Sequence, residues 1–387
     1  MLTKEERVLR VIEGKDVDYL PSQITIADRS RDKELSEMLG LSCAEDLDDY
    51  LENHFHITLS YNDKTLFYRN DRDEMNRLQE LGFCGADWED KIVYDSWGMG
   101  IQVDSDGFFD IFNPLRGKTT KRNASFMPPD VNRESLFCTD INEAVEKFNV
   151  PDLDRPHNFD DMKKDLAEKS GDFLVMPSGY FGIYERAYAF MGFEELMLNF
   201  TLHPRAVHKL LDKITDYRVE FAKRVVEMGF KVGHHGDDLG NQTGTFFSKA
   251  TFREFILPRL KRYFDVYNDA GLPIIMHCCG DATDFLPDLI DIGLRVLEPV
   301  QPCMDLKFLK KEFGKDLVFQ GGIETQNYLP FGTPEQVKEH ARETIRTLGK
   351  GGGHIIGPSQ EVMKDVPLAN IKALVETIVE ERQRVLE

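Results

Sequence analysis

Pro273-Ile-Ile-Met-His-Cys-Cys-Gly280 is an apolar run that closes on three metal-ligand residue types and a glycine turn. On a β-strand, residues two apart share a face, so His277 and Cys279 project together and Cys278 projects the other way. An imidazole nitrogen and a thiolate at that spacing suit Zn²⁺, a borderline-soft ion that takes nitrogen and sulfur ligands tetrahedrally. Taken alone, the triplet also reads as the end of a core strand, since free cysteine packs as a small hydrophobe. Glu298 favours the metal. It follows Cys279 by nineteen residues, at the end of the next apolar run, and neighbouring parallel strands bring their carboxyl ends to one rim. A carboxylate in that position is seldom buried without a partner. His277, Cys279 and Glu298 are therefore the expected ligands, with a fourth position for substrate or water and Cys303 in reserve.

Three further groups belong to the same presumed mouth. Gly236-Asp-Asp-Leu-Gly240 ends another apolar run. Buried side by side, Asp237 and Asp238 cannot both ionise comfortably, so one would hold a proton for a leaving group, which makes the pair the catalytic candidates. The alternative is that they cap the turn and orient a neighbour. His235 shares a strand face with Asp237, as a substrate-side donor or a core histidine. Ser178-Gly-Tyr-Phe-Gly-Ile-Tyr-Glu185 places Tyr180, Tyr184 and Glu185 near the mouth, where aromatic faces can wall a ligand pocket or simply pack the core. Gln320 is a further substrate-binding candidate. The glycines of Gly351-Gly-Gly-His354 precede a strand instead of following one, which speaks against a phosphate loop.

The elements that would carry these residues alternate. Strand-like runs at 172–178, 230–235, 272–276, 294–297, 317–320 and 354–356 are separated by helical patterns such as 204–228 and 249–270, the pattern of a parallel sheet with crossover helices. Two more runs, at 20–27 and 54–60, raise the count to eight, the number that closes a (β/α)₈ TIM barrel. An open doubly wound sheet gives the same local signals. The whole chain, 1–387, reads as one α/β barrel domain. Its N-terminal half carries a polar-aromatic insertion at 62–154 that includes an alternating, hairpin-like run at 101–112. Such an insertion would be a lid or partner-docking element, or an ordinary capping subdomain.

Composition bounds the partners. With 41% hydrophobic residues, 27 Phe and 12 Tyr, the chain can bury a sizeable core. A net charge of −20, from 48 basic and 68 acidic residues, repels phosphate backbones, so nucleic acid and anionic membrane are unfavourable partners. Six scattered cysteines form no disulfide framework, and the charged N-terminus with no long apolar stretch points to a cytoplasmic protein.

The order His277-Cys-Cys-Gly280, Val300-Gln-Pro302, Gln320-Gly-Gly-Ile323, Gly351-Gly-Gly353, Asp365-Val-Pro367 and Asn370 resembles the uroporphyrinogen decarboxylase superfamily, within it the corrinoid-dependent methyltransferase branch. The resemblance implies a single (β/α)₈ barrel and a zinc-binding His-x-Cys motif at His277 and Cys279. It also implies methyl transfer between a small methylated substrate and the corrinoid (cobalamin) of a separate carrier protein. Many members add a cysteine near the last strand, and Gly357-Pro-Ser-Gln360 offers none. Glu298 is similar in placement to a zinc-ligating glutamate of the related cobalamin-independent methionine synthases. The arginine-rich motif of true decarboxylases is missing from Ile26-Ala-Asp-Arg-Ser-Arg31. The expected activity is zinc-dependent demethylation of a methoxylated, aromatic or other O-methyl substrate. Methylcobalamin:thiol methyl transfer is the first alternative, and a uroporphyrinogen-type decarboxylase or non-catalytic tetrapyrrole-binding barrel the second.

Overall fold

Apolar runs of four to seven residues alternating with amphipathic helices have one economical solution, in which the runs pair side by side and the helices cover them. The computed structural model, which describes residues 2–27, 32–43, 46–104, 111–115 and 119–387, adopts it. The strands are β1 (Phe55–Thr58), β2 (Gly85–Asp87), β3 (Ile92–Tyr94), β4 (Gly100–Gln102), β5 (Ile111–Phe112), β6 (Leu174–Pro177) and β7 (Gly233–Gly236), followed by β8 (Gly240–Asn241), β9 (Gly244–Thr245), β10 (Ile274–His277), β11 (Leu294–Val300), β12 (Val318–Ile323) and β13 (His354–Pro358).

Five strands form a parallel sheet in the order β13-β12-β11-β10-β7, and β1 pairs with β6 in parallel. The expected run at 20–27 is reduced to bridges: Ser22 pairs in parallel with Asn53 before β1 and with Ile356 in β13, joining the two sheets. Between β6 and β7 the link passes through the loop after β6, where Gly236 N donates to Gly179 O and Gly182 N to Gly236 O. Glycine is required at Gly179, because a Cβ there would stand 2.2 Å from His234 O. Eight parallel segments thus follow one another, and all eight contribute to one buried cluster, through Ile24, Phe55, Leu174, Val232, Ile275, Val296, Val318 and Ile355. Ile274 and Met276 instead join the cluster that includes the helices Pro204–Met228 and Leu257–Asp269. Strand parity therefore turns Ile275, and with it His277, away from those two helices.

The helix Pro204–Met228 matches its expected bounds, with proline in its first turn and Gly229 left-handed at its end (φ 91°). The expected helix at 249–270 is interrupted by a π-helical turn at Phe252–Ile256. Within 62–154 the chain forms the helices Tyr61–Tyr68 and Arg72–Glu80, the antiparallel sheet β2-β3-β4-β5 and three short helices ending at Lys147. The expected hairpin is present as the β4–β5 pairing of Gly100 with Phe112, with 105–110 outside the described residues, as are 28–31 of the Ile26–Arg31 segment. Among the described residues no helix is long and apolar enough to cross a membrane.

Candidate metal centre

The ladder sets the site. His277, the last residue of β10, lies level with Gly236 of β7 on one side and Glu298 of β11 on the other. Level register brings Glu298 Oε2 to 2.8 Å from His277 Nδ1. That contact fixes the ring and leaves Nε2 to face Cys279 Sγ at 3.5 Å and Asp238 Oδ1 at 3.7 Å. Asp238 is itself held by Cys279 N, which donates to its Oδ1 at 2.7 Å. One ligand atom each from Asp238, His277 and Cys279 lies within 4.8 Å of the others. Glu298, expected as the third ligand, is not in this group. It holds the opposite nitrogen of the imidazole, and Asp238, expected as a catalytic acid, stands in the third place. One nitrogen, one sulfur and one carboxylate oxygen are a donor set that fits Zn²⁺ with a position to spare.

The electrostatics of the three donors are linked. Burial pushes the Cys279 thiol up to about 11, against the opposing pull of His277. Burial likewise raises the Asp238 carboxyl despite His277. For His277 burial acts downward, but Glu298 and Cys279 outweigh it and lift the imidazole well above its ordinary range. A dication would stabilise the deprotonated thiolate and carboxylate and displace the imidazole proton, so ion binding should release protons.

Two amides complete the surroundings of Cys279. Gln360 Nε2 donates to Sγ at 2.9 Å and Gln301 Nε2 at 3.3 Å. Cys278 points the other way, fully buried, its sulfur accepting from Leu239 N. Cys303 lies half-buried outside the group.

Two cavities flank the cluster. One of about 130 Å³, on the His277 side, is lined by Phe67, Tyr180, Phe181, Glu185, Tyr188 and Gln360 together with Asp238 and His277. The other, of about 510 Å³, reaches Cys279 and Asp238 past Asn113, Tyr188, Phe193, Gln242 and Phe246. The ring of Tyr180 lies edge-on to His277 at 5.0 Å. Glu185 carries a carboxyl raised well above its usual range by burial and by Asp238 and Asp237, its Oε1 accepting from Tyr188 Oη at 3.3 Å.

The other expected residues lie elsewhere. Asp237, the second catalytic candidate, is fully buried and accepts from Ile183 N, Tyr184 N, Glu185 N and His235 Nε2. Although burial opposes it, His235 and these amides hold the carboxyl below its usual range, and its oxygens anchor the loop after β6. His235 packs against Tyr263 and Phe264, and Tyr184 against Tyr188 and Phe247. Gln320 is buried in β12. None of these four lines either cavity. Sequence reasoning missed Gln301, Tyr188 and Phe67 and passed over Gln360 as a non-ligand. Gln301 was detectable as a polar residue directly after β11, at the rim that already held Glu298.

The family model for uroporphyrinogen decarboxylase (URO-D) matches residues 165–381, more than half the chain and the part that carries the whole cluster. The chain belongs to the uroporphyrinogen decarboxylase family. A methylated-thiol--coenzyme M methyltransferase of Methanosarcina mazei is 29% identical over 176 residues, 44% of each chain. A uroporphyrinogen decarboxylase of Chlorobaculum tepidum is 27% identical over 183 residues, 46% of this chain and 50% of that one. The methylcobamide:CoM methyltransferase MtaA of Methanosarcina barkeri is 28% identical over 165 residues, 43% and 46% of the two. The chain thus spans about half the length of these curated relatives, or less. A solved methyltransferase from Methanosarcina mazei superposes with a TM-score of 0.62 over 98% of this chain and 99% of its own, at 18% identity, and so has the same fold.

Within this family member the Glu298–His277 contact has a measurable consequence. Glu298→Gln keeps the shape but removes the charge that orients and polarises the imidazole, so zinc affinity should fall about 10- to 100-fold. Competition with a chromophoric chelator measures it; unchanged affinity would show that Glu298 does not support the ligand.

Proposed function

We propose that this chain is a zinc-dependent methyltransferase that moves the methyl group of an O-methyl substrate, preferentially a methoxylated arene, to the Co(I) corrinoid of a separate carrier protein. The observation that carries the reading is the cluster of Asp238, His277 and Cys279 between two cavities. In this reading the eight parallel segments close as a (β/α)₈ barrel, and 62–154 covers its mouth as a lid or docking element.

His277, Cys279 and Asp238 would hold the ion, with Glu298 orienting the imidazole. Bound zinc supplies Lewis-acid stabilisation of the oxygen that leaves. Phe67, Tyr180, Phe181 and Tyr188 offer faces for an aromatic ring. In the overall change the substrate C–O bond breaks, a Co–C bond forms with the electron pair of Co(I), and the oxygen takes up a proton. Glu185 lines the cavity wall, its carboxyl raised by burial and by the neighbouring aspartates, and would supply that proton. The larger cavity provides the approach for the corrin. The methyltransferase names of two relatives support the class. One names a methylated thiol and the other methylcobamide, which favours the reverse traffic, from methylcobalamin to a thiol, as the second reading.

The test is a screen of methoxyphenols, methoxybenzoates, methanol, methylamines and thiols with zinc-loaded protein and cob(I)alamin. Cobalt methylation by a methoxyarene is the expected result. Methylation by none, with CO₂ release from a porphyrinogen, would replace this reading by decarboxylation.

A further inference from the structure

The immediate surroundings of the Cys279 sulfur carry a second message. Two primary amides converge on it, and both are locked in orientation. The Oε1 of Gln360 accepts from Glu361 N at 2.9 Å, which leaves its Nε2 to point at Sγ, 2.9 Å away. The Oε1 of Gln301 accepts from Gly280 N at 2.8 Å and from Gln242 Nε2 at 3.3 Å. Its Nε2 is shared between Ser359 O at 2.8 Å and Sγ at 3.3 Å. Neither amide can turn its oxygen to the sulfur without breaking these bonds.

We propose that Gln360, backed by Gln301, is a specificity-determining residue that makes this site prefer oxygen over sulfur in the group that gives or takes the methyl. The inference rests on the methyltransferase reading. Its physical basis is simple. Each N–H donated to a thiolate draws electron density from the sulfur, so the sulfur gives less of it to a bound ion. A metal with one weakened thiolate, one imidazole and one carboxylate remains a hard, strongly polarising centre, suited to an oxygen. A second thiolate would soften it. Gln360 also occupies the space beside Sγ, with its Nε2 2.9 Å away.

Gln360 is partly exposed, so it can be varied without emptying the core. Two variants, Gln360→Leu and Gln360→Cys, are loaded with Co²⁺ in place of zinc, and the sulfur-to-cobalt charge-transfer band is recorded beside the wild type. Gln360→Leu should move the band to lower energy, because the sulfur regains its electron density. Gln360→Cys should raise its intensity about twofold, for two thiolates in place of one. In zinc-loaded protein the ratio of methoxyarene to thiol turnover should fall by about 10-fold or more in both variants. Unchanged bands in both variants would show that Gln360 does not act on the thiolate, and shifted bands with an unchanged ratio would show that it does not set specificity; either result overturns the proposal. If the wild type methylates no acceptor from any donor, the functional reading fails and the specificity with it, whereas the cobalt bands still report whether the amide acts on the sulfur.

Discussion

His277→Ala and Cys279→Ala should each reduce bound zinc from about one ion per chain to near zero and lower methyl transfer by well over ~10²-fold, the upper range seen when only an outer partner of a ligand is lost. The expectation follows from the geometry of three donors. The ions that remain in such a variant are held by two side chains, one of them Asp238, whose carboxyl is raised by burial and binds protons in competition. Asp238→Asn should produce the same loss of zinc, whereas Asp237→Asn should leave zinc stoichiometry intact, because Asp237 spends its oxygens on three backbone amides and His235. Metal analysis of these four purified variants and of Glu298→Gln checks the assignment. Retention of stoichiometric zinc by Asp238→Asn, with loss in Glu298→Gln, would return the third position to Glu298.

That contrast shows what could be read from the chain alone. The His277/Cys279 pair and the exclusion of Cys278 follow from the period of a strand, which depends on nothing outside the run itself. The seven apolar runs from 54 onward became strands for the same reason, and the eighth, at 20–27, shrank to bridges at Ser22 and Ile26. Choosing between Glu298 and Asp238 required the register between strands. Glu298 falls level with His277 and therefore meets Nδ1, while Asp238, two residues past Gly236, reaches over to the backbone of Cys279. No periodicity encodes that offset. Asp237 and Asp238 were legible as a pair but not as opposites, because what separates them is the loop after β6, whose amides claim one of them. Gln360 was visible only as a missing thiol, since amide hydrogen bonds to sulfur leave no pattern in sequence.

The least legible feature has the second large consequence. Asp63, on the first turn of the insertion's first helix, accepts from Arg218 at 3.0 Å and from Arg186 at 3.2 Å, and Arg186 reaches Asp95 at 2.7 Å. All four side chains are at most 4% exposed, so two cations and two anions balance in the interior. Removing Asp63 alone leaves two buried guanidiniums against one carboxylate. Asp63→Ala should therefore destabilise the protein by about 3–5 kcal/mol, a large share of the roughly 5–15 kcal/mol that holds a domain folded. The double change Asp63→Leu with Arg218→Met removes one charge of each sign and should cost less than the sum of the single changes. Urea unfolding of Asp63→Ala, of Asp63→Leu and Arg218→Met singly, and of the double variant measures this. The network also reaches the site: Arg218 donates to the carbonyls of Tyr180 and Phe181, at 3.1 and 2.6 Å. It thereby holds Phe181 in the left-handed region (φ 52°), which an aromatic residue adopts only under constraint. Without that grip the loop should relax, and Tyr180 should leave its place beside His277. Even at temperatures where Asp63→Ala stays folded, the KM for the methylated substrate should therefore rise while zinc stoichiometry is kept. A variant that loses stability with an unchanged KM would confine Asp63 to holding the insertion in place.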